Sequence, residues 1–147
     1  MQTRTFGVNF RTPNLINICV DQFNEGEIGG RFYHCYNQEP IQFANVVELL
    51  REAEKLFDDI SFPQASTKTR SFVEKIQVQA RRMQRPEPVV DQESVVSHNG
   101  ELGTFVTTVK FRQNSTWQGE FYWLEGERAV KFSNTLDFIK QIVVALQ

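Results

Sequence analysis

Cysteine is scarce: Cys19 and Cys35 are the only two, and they form no CxxC pair. A disulfide framework is thereby excluded, although a single Cys19–Cys35 bridge between neighbouring predicted strands stays open. Histidine is equally scarce, with His34 and His98 alone. A zinc site would have to recruit Cys19, His34, Cys35 and a fourth ligand with no metal-site spacing, so no metal is expected. Proline and glycine together number 13, which excludes collagen-like, low-complexity and wholly disordered chains. No apolar run approaches the ~18 residues of a spanning helix, and Met1–Phe6 lacks the apolar core of a signal peptide. The expectation is a soluble cytoplasmic protein with no membrane partner, and the Asn114-Ser115-Thr116 sequon then carries no weight.

Catalytic motifs are missing as well. There is no P-loop, no GxGxxG after a strand, no HExxH and no GxSxG. The carboxylates are scattered without an evident acid–base couple, and no Cys/His nucleophile pair is supported. The chain therefore reads as a non-enzyme without cofactors.

What it has in excess is phenylalanine, 13 residues against 3 Tyr and 2 Trp. Phe carries area without a polar handle, so the excess reads as core-building in one compact domain or two small fused units. Sliding the 147-residue chain against itself by 89 positions aligns residues 15–57 with 104–146 without a gap. Identical pairs are Val20/Val109, Gly30/Gly119, Phe32/Phe121, Tyr33/Tyr122, Phe43/Phe132 and Asn45/Asn134. Conservative pairs include Ile41/Val130, Glu48/Asp137, Leu49/Phe138, Leu50/Ile139 and Arg51/Lys140. An internal duplication is the favoured reading. It also makes Cys35 match Leu124 and His34 match Trp123, which are packing positions rather than ligands.

Each copy carries β-branched and aromatic runs followed by an amphipathic helix. In the second, strands are expected near 105–111, 117–124 and 129–132. A helix capped by Asn134 follows, with Asp137 in its first turn and Leu136, Ile139, Val143 and Leu146 along the buried face. In the first, strands fall near 14–21, 29–36 and 39–43. The helix there is capped by Asn45, buries Val46, Leu49, Leu50, Ala53, Leu56, Phe57 and Ile60, and stops at Ser61-Phe62-Pro63. Alternating apolar residues in 4–10 and 88–97 suggest one more strand before each set. The predicted fold class is α+β: two ββββα repeats, 1–60 and 88–147, each an antiparallel sheet with one C-terminal helix, related by a pseudo-two-fold axis. The chain would then be a pseudo-dimer, its oligomeric state otherwise open.

Residues 61–87 form the predicted linker, part helical over 69–83 along Phe72, Ile76, Ala80 and Met83. Over 68–86 it sets Lys68, Arg70, Lys75, Arg81, Arg82 and Arg85 against Glu74 alone. The first copy sets 7 acids against 3 bases, so the charge is segregated within a chain of net charge −2. This pattern fits either a solvated helix balancing its neighbour or a contact with nucleic acid or an acidic protein surface.

The most distinctive string is Phe111-Arg112-Gln113-Asn114-Ser115-Thr116-Trp117-Gln118-Gly119. In one reading it is a turn whose polar side chains bond their own backbone while Trp117 packs on the helix. In the other it is an exposed loop, with Arg112, Gln113 and Asn114 offering planar hydrogen-bonding groups and Trp117 a hot-spot face. The stretch from Val109 to Leu146 resembles a small uncharacterised bacterial domain family of Gram-positive genomes. That family's signature is similar to R-Q-N-[AS]-[ST]-W-Q-G, then W-L-E, then F-[RS]-[SN]-x-L-[ED]. Here these are Arg112–Gly119, Trp123-Leu124-Glu125 and Phe132–Asp137. Gly30–Phe62, with Tyr33-His34 and Glu39-Pro40-Ile41, resembles an associated segment. The resemblance covers roughly half the chain and implies no activity. Tandem ββββα units also resemble, in topology, the PC4, Whirly and PUR class of single-stranded nucleic-acid binders.

Two functions follow as expectations. The first is a non-catalytic protein-interaction module, including an inhibitor or adaptor of a nucleic-acid enzyme as phages and mobile elements encode. The second is single-stranded nucleic-acid binding, with Tyr33, Tyr122 and Trp123 stacking bases and the linker cations meeting phosphates. A net charge of −2 weighs against the second.

Overall fold

The computed structural model describes residues 12–63, 65–66, 86–113 and 116–147. The order is β1 (Ile16–Asn24), β2 (Glu27–His34), β3 (Asn37–Phe43), α1 (Val46–Ile60), β4 (Ala65–Ser66), α2 (Gln92–Val95), β5 (Gly103–Gln113), β6 (Thr116–Trp123), β7 (Arg128–Phe132) and α3 (Thr135–Leu146). The class is α+β, but the expectation of two separate sheets is corrected. The strands form one sheet in the order β3-β2-β1-β5-β6-β7, antiparallel throughout, and β4 adds a short parallel pairing to β5. The reason is that β1 and β5 leave their inner edges open to each other. Their pairing from Ile16/Thr107 to Val20/Gly103 fuses the two meanders.

The register of that fusion sets Asn17 opposite Val106, two positions 89 apart in the chain. The same spacing recurs elsewhere. A bulge inserts Asp21 into β1 and another inserts Lys110 into β5. Opposite each bulge lies one of the matched glycines. A Cβ on Gly30 would stand 2.1 Å from the Cys19 carbonyl oxygen, and one on Gly119 2.1 Å from that of Thr108. Only a residue without a side chain lets the strands close there.

The helices start alike. The Asn45 and Asn134 side chains accept from the N–H groups of Glu48 and Asp137. Those acids reach back to the N–H groups of Ala44 and Ser133, completing two reciprocal capping boxes. The α1 helix buries Leu49, Ala53, Leu56, Phe57 and Ile60, with Val46 and Leu50 packed at its margin. In α3 the expected face is corrected in part: Ile139 and Leu146 pack against the core, but the fully buried positions are Phe138 and Ile142, and Leu136 is 68% exposed. The four predicted positions follow a 3.5-residue seam, whereas the capped helix turns the bulkier Phe138 and its i+4 neighbour to the sheet.

The additional strand expected in 88–97 is also corrected. Asp91 caps the single turn of α2, accepting from Ser94 N–H at 2.7 Å. Val95 and Val96 then drop into a second core with Leu15, Cys35 and Val106, on the sheet face opposite α1 and α3. Its counterpart near 4–10 and the 69–83 helix lie outside the described residues. Both cysteines are buried and no disulfide joins them.

Candidate functional site

The Arg112–Trp117 pair, cross-strand neighbours on β5 and β6, projects toward α1. Trp117 is 1% exposed, its ring held between Phe57 of α1 at 5.6 Å and Phe138 of α3 at 5.4 Å. Its Nε1–H donates to Glu54 Oε1. The Arg112 guanidinium lies over the Phe57 ring; Nη1 donates to Glu54 Oε2 at 2.6 Å and Asp58 Oδ1 at 2.9 Å, and Nε to the Pro63 carbonyl at 2.7 Å. The exposed-loop reading of these two residues is therefore corrected: they lock α1 and the chain leaving it onto the second half of the sheet. Gln113 pairs through its backbone with Thr116 and Ser66, and Asn114 lies outside the described residues.

This lock is asymmetric in cost. Glu54 and Asp58 keep access to water, whereas Arg112 does not. Arg112→Ala is expected to destabilise by about 2 kcal/mol, chiefly through the unpaired Pro63 carbonyl and lost packing. Chemical denaturation of Arg112→Ala, Glu54→Gln and the double variant checks this, with a coupling energy clearly above zero expected.

The three sheet aromatics do not form one platform. Tyr122 and Trp123 are consecutive in β6 and so point to opposite faces. Tyr122 packs on the second core with Tyr33, whereas Trp123 packs on the main core with Arg128 over its ring. Lys68, Arg70, Lys75, Arg81, Arg82 and Arg85 lie outside the described residues.

On the face opposite α1 and α3, Tyr33 belongs to a cluster that sequence reasoning missed. The His98 imidazole stacks on the Tyr33 ring at 3.7 Å, the two planes 1° apart. Arg31 donates through Nε to Tyr33 Oη at 2.9 Å, pairs with Asp21 at the β1 bulge, and reaches the Asn99 carbonyl. Asn17 Nδ2 ties down the carbonyls of Val95 and His98, both at 2.9 Å. The available signal was Asn17 itself, a polar residue inside the apolar run Leu15–Cys19. Two clefts flank this cluster. One of about 450 Å³ lies between the β2–β3 hairpin and the α2 segment, with His34 among its walls. The other, of about 570 Å³, is edged by Asp21, Arg31 and Glu101.

Burial holds the pKa of both histidines below the usual 6.5, and for His98 the Arg31 charge adds to the effect. Both are thus neutral in the fold. Below about pH 6.5 the unfolded chain binds protons that the folded chain resists, so stability falls as pH drops from 6.5 through the lowered values. A melting temperature that declines between pH 7 and 5, with a smaller decline in His98→Gln, is the expected result.

No family model, curated protein or solved structure matches the chain. Among the described residues, no helix is long and apolar enough to cross a membrane.

Proposed function

We propose that this is a non-catalytic cytoplasmic binding protein, built from a duplicated βββα unit and acting through protein–protein contacts. An inhibitor or adaptor of a nucleic-acid enzyme is the form we favour. The duplication is supported by the paired bulges, glycines and capping boxes at a constant spacing of 89. The observation that carries the functional reading is the engagement of the side chains that base stacking would need. Tyr33 is covered by His98, Trp123 is turned to the helix face, and the Arg112 cation is neutralised inside the fold. A net charge of −2 gives phosphates little to approach.

The test pairs two measurements. Affinity capture from the native host's lysate, with and without nuclease, is expected to retain a protein after nuclease treatment. Labelled single-stranded oligonucleotides are expected to show no salt-dependent binding. Salt-dependent binding that weakens in Arg81→Ala/Arg82→Ala would replace this reading with the single-stranded nucleic-acid one.

A further inference from the structure

The cleft between the β2–β3 hairpin and the α2 segment is a small volume with a specific set of hydrogen-bonding groups left over. His34, on its wall, is only 5% exposed. Its Nδ1 accepts from Tyr36 N–H at 3.0 Å, which places the ring proton on Nε2. That Nε2–H makes no hydrogen bond to the described residues and is not sealed from solvent, so it is a donor open to the cleft that His34 lines. Burial keeps the ring neutral at physiological pH.

The rim adds to this donor. Asn37 spends its Oδ1 on Glu39 N–H at 3.0 Å, leaving Nδ2–H₂. Asp91 spends Oδ1 on the α2 cap, leaving Oδ2 as an acceptor. Gln38, exposed at the mouth, offers a whole amide. Val89 and Val90 supply apolar wall. Among the described residues lining the cleft, Asp91 is the single formal charge and no Lys or Arg is present.

A ligand anion would meet a carboxylate with no cation to offset it, and an alkyl group would leave the His34 donor unpaired. A group that accepts from His34 and donates to Asp91 satisfies both, on a short apolar stem. We propose that this cleft binds a carboxamide, the side chain of a Gln or Asn presented by a protein partner. The inference rests on the protein-binding reading above and narrows it to one contact. About 450 Å³ accommodates such a side chain with part of its backbone.

The test is an NMR titration of the full chain with N-acetylglutaminamide. Saturable shifts are expected at His34, Asn37, Ser94 and His98, with a dissociation constant in the millimolar range suited to so small a probe. The isosteric N-acetylglutamate amide is expected to bind about ten-fold more weakly or worse, because its carboxylate faces Asp91 and cannot donate. His34→Phe is expected to abolish the shifts. Gln38→Ala, at an exposed position that cannot perturb folding, is expected to weaken binding several-fold. Absence of saturable shifts, equal affinity for the acid, tighter binding of inorganic phosphate or adenosine at the same residues, or full binding in both variants would overturn the proposal. Probe failure alongside nuclease-resistant partner capture removes the carboxamide site alone; failed capture removes the protein-binding reading.

Discussion

Trp117→Ala is expected to destabilise the protein by about 4 kcal/mol, the largest effect of any single substitution considered. The ring is fully enclosed and touches Phe57 of α1 and Phe138 of α3, so both helices share it. Truncation leaves a cavity bordered by two aromatic rings that the sheet behind them prevents from collapsing together. It also strips Glu54 of the indole partner, so the Arg112 lock loosens at the same time. At this chain length the loss corresponds to a melting temperature lower by roughly 12 °C. Trp117→Phe separates the two contributions: it keeps most of the ring contacts, loses the Nε1–H bond, and is expected to cost about 2 kcal/mol. Calorimetry on the three proteins checks the order. Equal stabilities for wild type and Trp117→Phe would show the indole bond to be immaterial.

Gly119→Ala is expected to cost about 3 kcal/mol, and Gly30→Ala a similar amount. In each case the new methyl meets a backbone carbonyl oxygen at 2.1 Å, and backbone in a ladder cannot rotate aside as a side-chain end would. The strands must separate at the bulge. Each site has a further obstacle at 3.1 Å, the Asp21 backbone nitrogen at Gly30 and the Phe132 ring at Gly119, so the two variants are expected to be destabilised alike. The sites lie on opposite sides of the β1–β5 seam, so the double variant is expected to be additive within a few tenths of a kcal/mol. Urea denaturation of the two single variants and the double checks both statements. Wild-type stability in either single variant would mean that the matched glycines do not mark close strand approach.

The local elements were legible because their causes are local. Asn45 and Asn134 each stand three residues before an acid, and the capping box forms whatever the sheet does around it. The three strands before each helix alternate clearly enough that their existence, though not their ends, follows from periodicity. The segment 88–97 was misread because its valine pairs fit a strand and a capped turn equally well. Asp91 settles the matter through one hydrogen bond to Ser94. The α3 face was partly misread because four apolar residues in a heptad seam competed with two at i and i+4, and the sheet chose the larger ring.

The candidate site was less legible, for a different reason. Arg112 and Trp117 look like recognition residues because their chemistry is that of recognition, and nothing near them in sequence shows what they bind. Their partners, Glu54, Asp58 and Pro63, lie about 50 to 60 positions earlier. His98 and Tyr33 are likewise brought together only by the second core. The split of Tyr122 from Trp123 follows from the sequence alone, since consecutive strand residues cannot share a face, and it counts against the expectation that both stack bases.

The scarcity of cysteine, histidine and catalytic motifs, the Phe excess, the caps and the 89-residue spacing belong to the sequence by itself, since each depends only on residue identity and short-range geometry. Whether the halves share one sheet, whether Arg112 faces water or α1, and which donor is left open in the cleft beside His34 were decided by tertiary structure. The pairing of β1 with β5 fixes all three, because hydrogen bonds between strands some 90 residues apart set which faces meet, and no local preference encodes that meeting.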